Sequence, residues 1–98
     1  MDLSIIILNY NTKDLTLACV NSILEQYQNE INNNKFEIVL LDNNSTDSSL
    51  EAFRKLKIPG LTIIESKENL GFSKGCNLGA EHAKGEYLLF LNSDTQIK

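Results

Sequence analysis

Proline is nearly missing from this sequence: Pro59 is the only one. Tryptophan is absent, histidine occurs once, at His82, and cysteine twice, at Cys19 and Cys76. Any histidine-based metal site or triad would therefore rest on His82 alone, and the two cysteines lack metal-ligand spacing. Both cysteines sit in apolar helical patterns, where they read as small buried hydrophobes in a reducing cytoplasm. No Lys/Arg cluster exists, and 9 basic against 13 acidic residues leave a net charge of −4, which argues against nucleic acid as a partner. No apolar run approaches the ~18 residues of a membrane span. Met1-Asp2-Leu3-Ser4 lacks the basic start of a secretory signal. Phosphate-loop motifs are missing too: there is no G-x-G-x-x-G after the first apolar run and no G-x-x-x-x-G-K-[ST].

What remains is ordinary globular composition, 42% apolar and 22% charged over 98 residues, enough for one domain, residues 1–98, with its own core. Leu3 to Leu8 is a near-continuous β-branched run, as expected of a strand buried on both faces in a parallel sheet. Asn11 or Thr12 is expected to cap the following helix, where Leu15, Cys19, Ile23 and Tyr27 recur at four-residue spacing. Residues 29–34, polar and rich in asparagine, read as a loop. Phe36 to Leu41 is a second strand. Ser45, Thr46 or Ser48 is expected to cap a second helix, with Glu51 completing a capping box from Ser48, and Pro59-Gly60 ends that unit. Leu61 to Glu65, more polar, reads as an edge strand. Ser73 is expected to cap a third helix running to Lys84, with Gly85 as its stop. Cys76, Gly79, Ala80 and Ala83 form a small-residue stripe that lets this helix approach the sheet. Tyr87 to Leu91 is a fourth strand. The β-α-β-α-β-α-β order predicts an α/β fold, a Rossmann-like parallel sheet with helices on both faces.

Each of three strands ends in a polar cluster: Asn9-Tyr10-Asn11, Asp42-Asn43-Asn44-Ser45 and Asn92-Ser93-Asp94. In an open parallel sheet these lie at one edge, where ligands bind. Turn-making and helix capping explain Ser45, Thr46 and Asp47 equally well; they explain Asn92-Ser93-Asp94 less well, because no helix start follows. Without a phosphate loop, a nucleotide would need a carboxylate-held Mg²⁺ or Mn²⁺ to offset its diphosphate. Spacing leaves Asp94 open between that ligand and a solvated surface carboxylate. Gly71-Phe72-Ser73-Lys74-Gly75 matches the G-x-S-x-G hydrolase elbow, but Ser66 to Leu70 separate it from the strand and His82 is too far along the same helix to serve Ser73. A receiver-like domain phosphorylated on Asp42 would need acidic residues after the first strand, where Asn9, Tyr10 and Asn11 stand.

Four segments together resemble family 2 glycosyltransferases of the GT-A fold. They are Ser4–Asn11, Val39–Asp47, the Asn69-Leu70-Gly71-Phe72-Ser73-Lys74-Gly75-Cys76-Asn77-Leu78-Gly79 stretch, and Leu91–Thr95, in family order across nearly the whole chain. The subgroup most resembled contains rhamnosyltransferase-like enzymes of polysaccharide and cell-wall assembly. The resemblance implies inverting transfer of a sugar from a UDP- or dTDP-linked donor, with Mg²⁺ or Mn²⁺, to a saccharide or lipid-linked acceptor hydroxyl. Asn9, Tyr10 and Asn11 would line the nucleoside pocket, with Tyr10 near the base. Asp42 and Asn43 match the stretch contacting base and ribose, with Asn43 where many relatives carry a second Asp. Asn69, Gly71, Lys74, Gly75 and Asn77 match the loop shaping the donor pocket. Asn92-Ser93-Asp94 matches the D-x-D motif with Asn92 in place of its first Asp, leaving Asp94 as the metal ligand.

The family's general base lies beyond the metal motif, and the sequence ends four residues after Asp94, so no catalytic residue is assigned. The expectation is a piece of a longer enzyme, inactive alone; the alternative is a nucleotide-binding module that transfers nothing. Tyr87 to Leu91 would then be an exposed apolar edge, predicting a homodimer. The expected location is cytoplasmic, peripheral at the inner membrane face in the full-length protein.

Overall fold

The computed structural model describes residues 1–93. The first strand, β1 (Leu3–Asn9), pairs in parallel with β2 (Phe36–Asn43) in the register Ile5↔Ile38, Ile7↔Leu40 and Asn9↔Asp42. On its other side β1 pairs in parallel with β4 (Tyr87–Leu91), and β3 (Leu61–Ser66) pairs with β2. The sheet order is β3-β2-β1-β4, so the polar third strand does occupy an edge.

Strand alternation sends neighbouring apolar residues to opposite faces, and both faces are covered at β1 and β2, while Tyr87 to Phe90 of β4 stay exposed. On one, Ile5, Ile7, Ile38 and Leu40 pack with Cys19, Val20, Ile23 and Ile31 of α1 (Lys13–Asn32) and Phe53 of α2 (Ser49–Arg54). On the other, Ile6, Val39, Leu41 and Ile64 meet Leu78 and Ala80 of α3 (Gly71–His82). The closest approaches there come from Gly75 and Gly79, the buried residues of α3. A Cβ on Gly79 would stand 2.7 Å from Ile6 Cγ2, and one on Gly75 2.7 Å from Leu8 Cδ2. The expected small-residue stripe is present, with Gly75 as a member the pattern omitted.

Several local expectations fail for one reason: distant side chains, or buried anchors, take over the work of local ones. Residues 29–34 are not all loop; α1 continues to Asn32 past non-helical geometry at Tyr27 (φ −129°, ψ 29°), because buried Ile31 fastens its last turn to the core. Thr12 stands at the α1 N-cap without a side-chain cap bond, and Ser48 at the α2 N-cap is left-handed (φ 66°) and makes none, so the capping box is absent. Asp47 serves both ends instead, accepting from the Lys13 amide at 3.1 Å and the Ser49 amide at 3.1 Å, and from the Ser49 hydroxyl. Ser73 is not a cap either: α3 starts at Gly71 (φ 77°), whose amide donates to Asn69 Oδ1 at 2.9 Å. The helix ends at His82, with Ala83 extended. Gly85 is present for a close approach rather than a helix stop, since its Cβ would lie 2.5 Å from the Ser4 nitrogen.

Candidate functional site

The connections after β1 and β2 carry the chain outward in one direction; the connection after β3 returns it to the far side of β1. That reversal opens a crevice between the carboxyl ends of β1 and β4, the position where open α/β sheets bind ligands. A cleft of about 510 Å³ lies there. Its lining comes from every strand end but that of β3: Asn9 and Tyr10 after β1, Asn43 at the end of β2, Asn69, Gly71 and Phe72 at the start of α3, and Asn92 and Ser93 after β4. Leu8, Thr12 and Leu15 complete it.

Most residues named from the sequence therefore meet in one place. Tyr10 is 49% exposed and lines the cleft. Asn43 is buried and braces the opposite wall: its Oδ1 accepts from the Leu70 amide at 3.3 Å and its Nδ2 lies 3.5 Å from the Gly71 carbonyl oxygen. Asn11 is outside the lining and ties loops together. Lys74 and Asn77 are exposed on α3 and also outside it. Asp94, the residue named for metal, lies outside the described residues.

Asp42 and Asn9 are brought to the site, but as its foundation. Asn9 is fully buried and Asp42 is 2% exposed. Asn9 Nδ2 donates to Asp42 Oδ1 at 2.8 Å, while Asn9 Oδ1 accepts from Thr16 at 2.7 Å and Thr12 at 3.1 Å. Asp42 also accepts from the Ser45 hydroxyl at 2.6 Å and the Ser45 amide at 3.1 Å. A carboxylate surrounded by three fixed donors in a buried setting is a strong organiser of neighbouring loops. Among the described residues, no buried side-chain polar atom lacks a partner.

Asp47 stands beside this network. Partial burial pushes its pKa up, but the bonds from the Ser49 hydroxyl and the Lys13 and Ser49 amides outweigh it and hold the carboxyl below its ordinary value. Partial burial raises the pKa of the Cys76 thiol above its ordinary value.

Sequence reasoning did not assign Leu15 and Phe72 to the site, although they are 48% and 62% exposed at the cleft. Leu15 reads from its spacing as core, and only its exposure separates it from Cys19 and Ile23. Phe72 carried a usable signal, an aromatic beside the helix-opening glycine. Among the described residues, no group of three His, Cys, Asp or Glu could hold a metal ion, and no carboxylate or histidine lines the cleft.

A parallel sheet with helices on both faces and a crevice at its switch point, lined by asparagines beside Leu8, Leu15 and Phe72, is a Rossmann-like domain, and its arrangement matches that of GT-A glycosyltransferases of known structure. S. aureus TarS 1-349 superposes with a TM-score of 0.87 at 30% identity, over 100% of this chain and 29% of that one. The mannosyltransferase PcManGT from Pyrobaculum calidifontis, in complex with GDP-Man and Mn²⁺, gives a TM-score of 0.84 at 28% identity, over 94% and 27%. The chain belongs to glycosyl transferase family 2, whose model matches residues 4–98.

Similar proteins include a poly(ribitol-phosphate) beta-glucosyltransferase of Bacillus spizizenii, 38% identical over 99% of this chain and 15% of the relative. Another is the UDP-Glc:alpha-D-GlcNAc-diphosphoundecaprenol beta-1,3-glucosyltransferase WfaP of Escherichia coli, 36% identical over 93% and 34%. The chain thus spans about a third or less of the length of these curated relatives. Their names concern glucose, and lend no support to the rhamnosyltransferase-like subgroup.

Proposed function

We propose that this chain forms the donor-binding part of an inverting glycosyltransferase, which takes a sugar from a UDP-linked donor to an acceptor hydroxyl in surface-polysaccharide or cell-wall assembly. The observation that carries this is the single cleft joining Asn9 and Tyr10, Asn43, Asn69 and Gly71, and Asn92 and Ser93. UDP is favoured over dTDP and GDP by the UDP-Glc-dependent relative and by TarS, which was solved with UDP at 30% identity.

In this reading the Tyr10 ring supports the base and the Asn43-braced turn at Gly71 shapes the pocket floor. Asn92 and Ser93 supply neutral hydrogen-bonding groups near the diphosphate. The carboxylates within the described residues do not fit a metal site, because Asp42 is occupied by three donors. The residue assigned to Mg²⁺ or Mn²⁺ is Asp94, which follows Ser93 in the chain; the ion would offset diphosphate charge. No residue lining the cleft is assigned deprotonation of the acceptor.

The proposed acceptor is a saccharide or a lipid-linked saccharide, by analogy with the diphosphoundecaprenol substrate named for WfaP, and the proposed location of the full-length protein is cytoplasmic, peripheral at the inner membrane face. No helix among the described residues is long and apolar enough to cross a membrane. The outer edge of β4, with Tyr87 70% exposed and Leu88, Leu89 and Phe90 exposed beside it, would support pairing of two copies.

Calorimetric titration with UDP, dTDP and GDP, each with and without Mn²⁺, tests the reading. UDP is expected to bind more tightly with Mn²⁺, and Asp94→Ala to lose that enhancement. Failure of all three nucleotides to bind overturns the proposal, and an Asp94→Ala variant that keeps the enhancement removes the metal role.

A further inference from the structure

The turn that carries Tyr10 is tied to the β2 loop on both sides of the tyrosine through one shared atom, Ser45 Oγ. Ser45 Oγ donates to Asp42 Oδ1 at 2.6 Å, and accepts from Asn9 Nδ2 at 3.0 Å and from the Asn11 backbone amide at 2.9 Å. A hydroxyl has one proton to give and two lone pairs to fill; all three are used. The two groups it accepts from belong to the residues on either side of Tyr10. Asn11 is held left-handed at φ 53°, where a non-glycine residue is strained. Its Oδ1 accepts in return from the Thr46 amide at 2.7 Å. Among the described residues, the Tyr10 side chain makes no hydrogen bond of its own, so its ring position follows from the turn.

We infer that Ser45, absent from the cleft lining, is a positioning residue of the cleft: its hydroxyl fixes the Asn9-Tyr10-Asn11 turn and through it the Tyr10 ring. The consequence for nucleotide binding rests on the function proposed above; the hold on the turn does not. A serine read from sequence as a possible helix cap is here the joint between the β1 and β2 loops.

Two measurements test it. Amide hydrogen exchange, without nucleotide, reads the hold. In the wild-type chain the Asn11 amide is expected to exchange more slowly than an unbonded loop amide, and Ser45→Ala to speed it at least about tenfold. Titration with UDP and Mn²⁺ reads the consequence. Ser45→Ala is expected to weaken binding about tenfold, the scale of one net hydrogen bond, with Ser45→Thr restoring it. In a Tyr10→Ala background Ser45→Ala should cause no further loss, because a positioning residue acts only through the group it positions. Fully additive losses overturn the inference. So does an Asn11 amide that exchanges like a free one in the wild-type chain, even if no Ser45 variant folds. Absence of UDP binding by the wild type would sink the proposed function and leave the exchange measurement to decide the role of Ser45.

Discussion

Replacing Asp42 by asparagine separates two roles that the sequence cannot tell apart. A carboxylate kept for a ligand is under-used before the ligand arrives, and neutralising it leaves the ligand-free fold unchanged or firmer. Asp42 is instead 2% exposed with three donors already on it. Asparagine matches its volume, but its NH₂ must replace one oxygen. At Oδ1 it would oppose two donors, Asn9 Nδ2 and Ser45 Oγ; at Oδ2 it opposes only the Ser45 amide. The second orientation is therefore preferred. It leaves one buried N–H facing another, at about 1–3 kcal/mol, and converts two charge-assisted bonds to neutral ones at about 0.5–1 kcal/mol each. Relief from burying a charge offsets part of this, for a net loss of about 2 kcal/mol. For a domain of this size each kcal/mol moves the melting point by about 4–8 °C, so Asp42→Asn should melt about 8–16 °C lower. Far-UV circular dichroism melts of the two ligand-free chains measure it. An unchanged or raised midpoint would refute the assignment of Asp42 to the scaffold of the cleft.

Asp47 predicts a pH dependence. Its folded pKa lies below the reference value of 3.8, so its contribution is complete above that value and lost as the pH falls through the folded pKa. The difference in urea midpoint between wild type and Asp47→Ala should be constant at neutral pH and narrow below 3.8; a gap unchanged to strongly acidic pH would contradict the double-cap role. Gly85→Ala should destabilise by about 1–3 kcal/mol. Its Cβ would meet the Ser4 nitrogen at 2.5 Å and the Leu3 carbonyl carbon at 2.7 Å, and β1 cannot yield between β2 and β4. Urea unfolding at unchanged m-value checks this, and wild-type stability would mean that the connection relaxes freely.

Element order and the parallel sheet are readable from the residues alone. Leu3 to Leu8 and Phe36 to Leu41 are apolar at successive positions because both faces of their strands are covered, and that requirement is written residue by residue. The gathering of the polar strand ends at one edge is readable too, since parallel strands all finish on the same side. Tyr10, Asn43, Asn92 and Ser93 were expected near one another for that reason and line one cleft; Asn69 and Gly71, which line it too, were named only through the family resemblance. Which of the polar residues line the cleft and which bond to each other depends on contacts made only in the folded chain. Asn9 and Asp42 are 33 residues apart and meet because their strands are in register; Asp47 caps a helix that begins 34 positions earlier. Short polar side chains take whichever partner the fold places within about 3 Å. Periodicity reports which face of an element is buried, and carries no information about such partners.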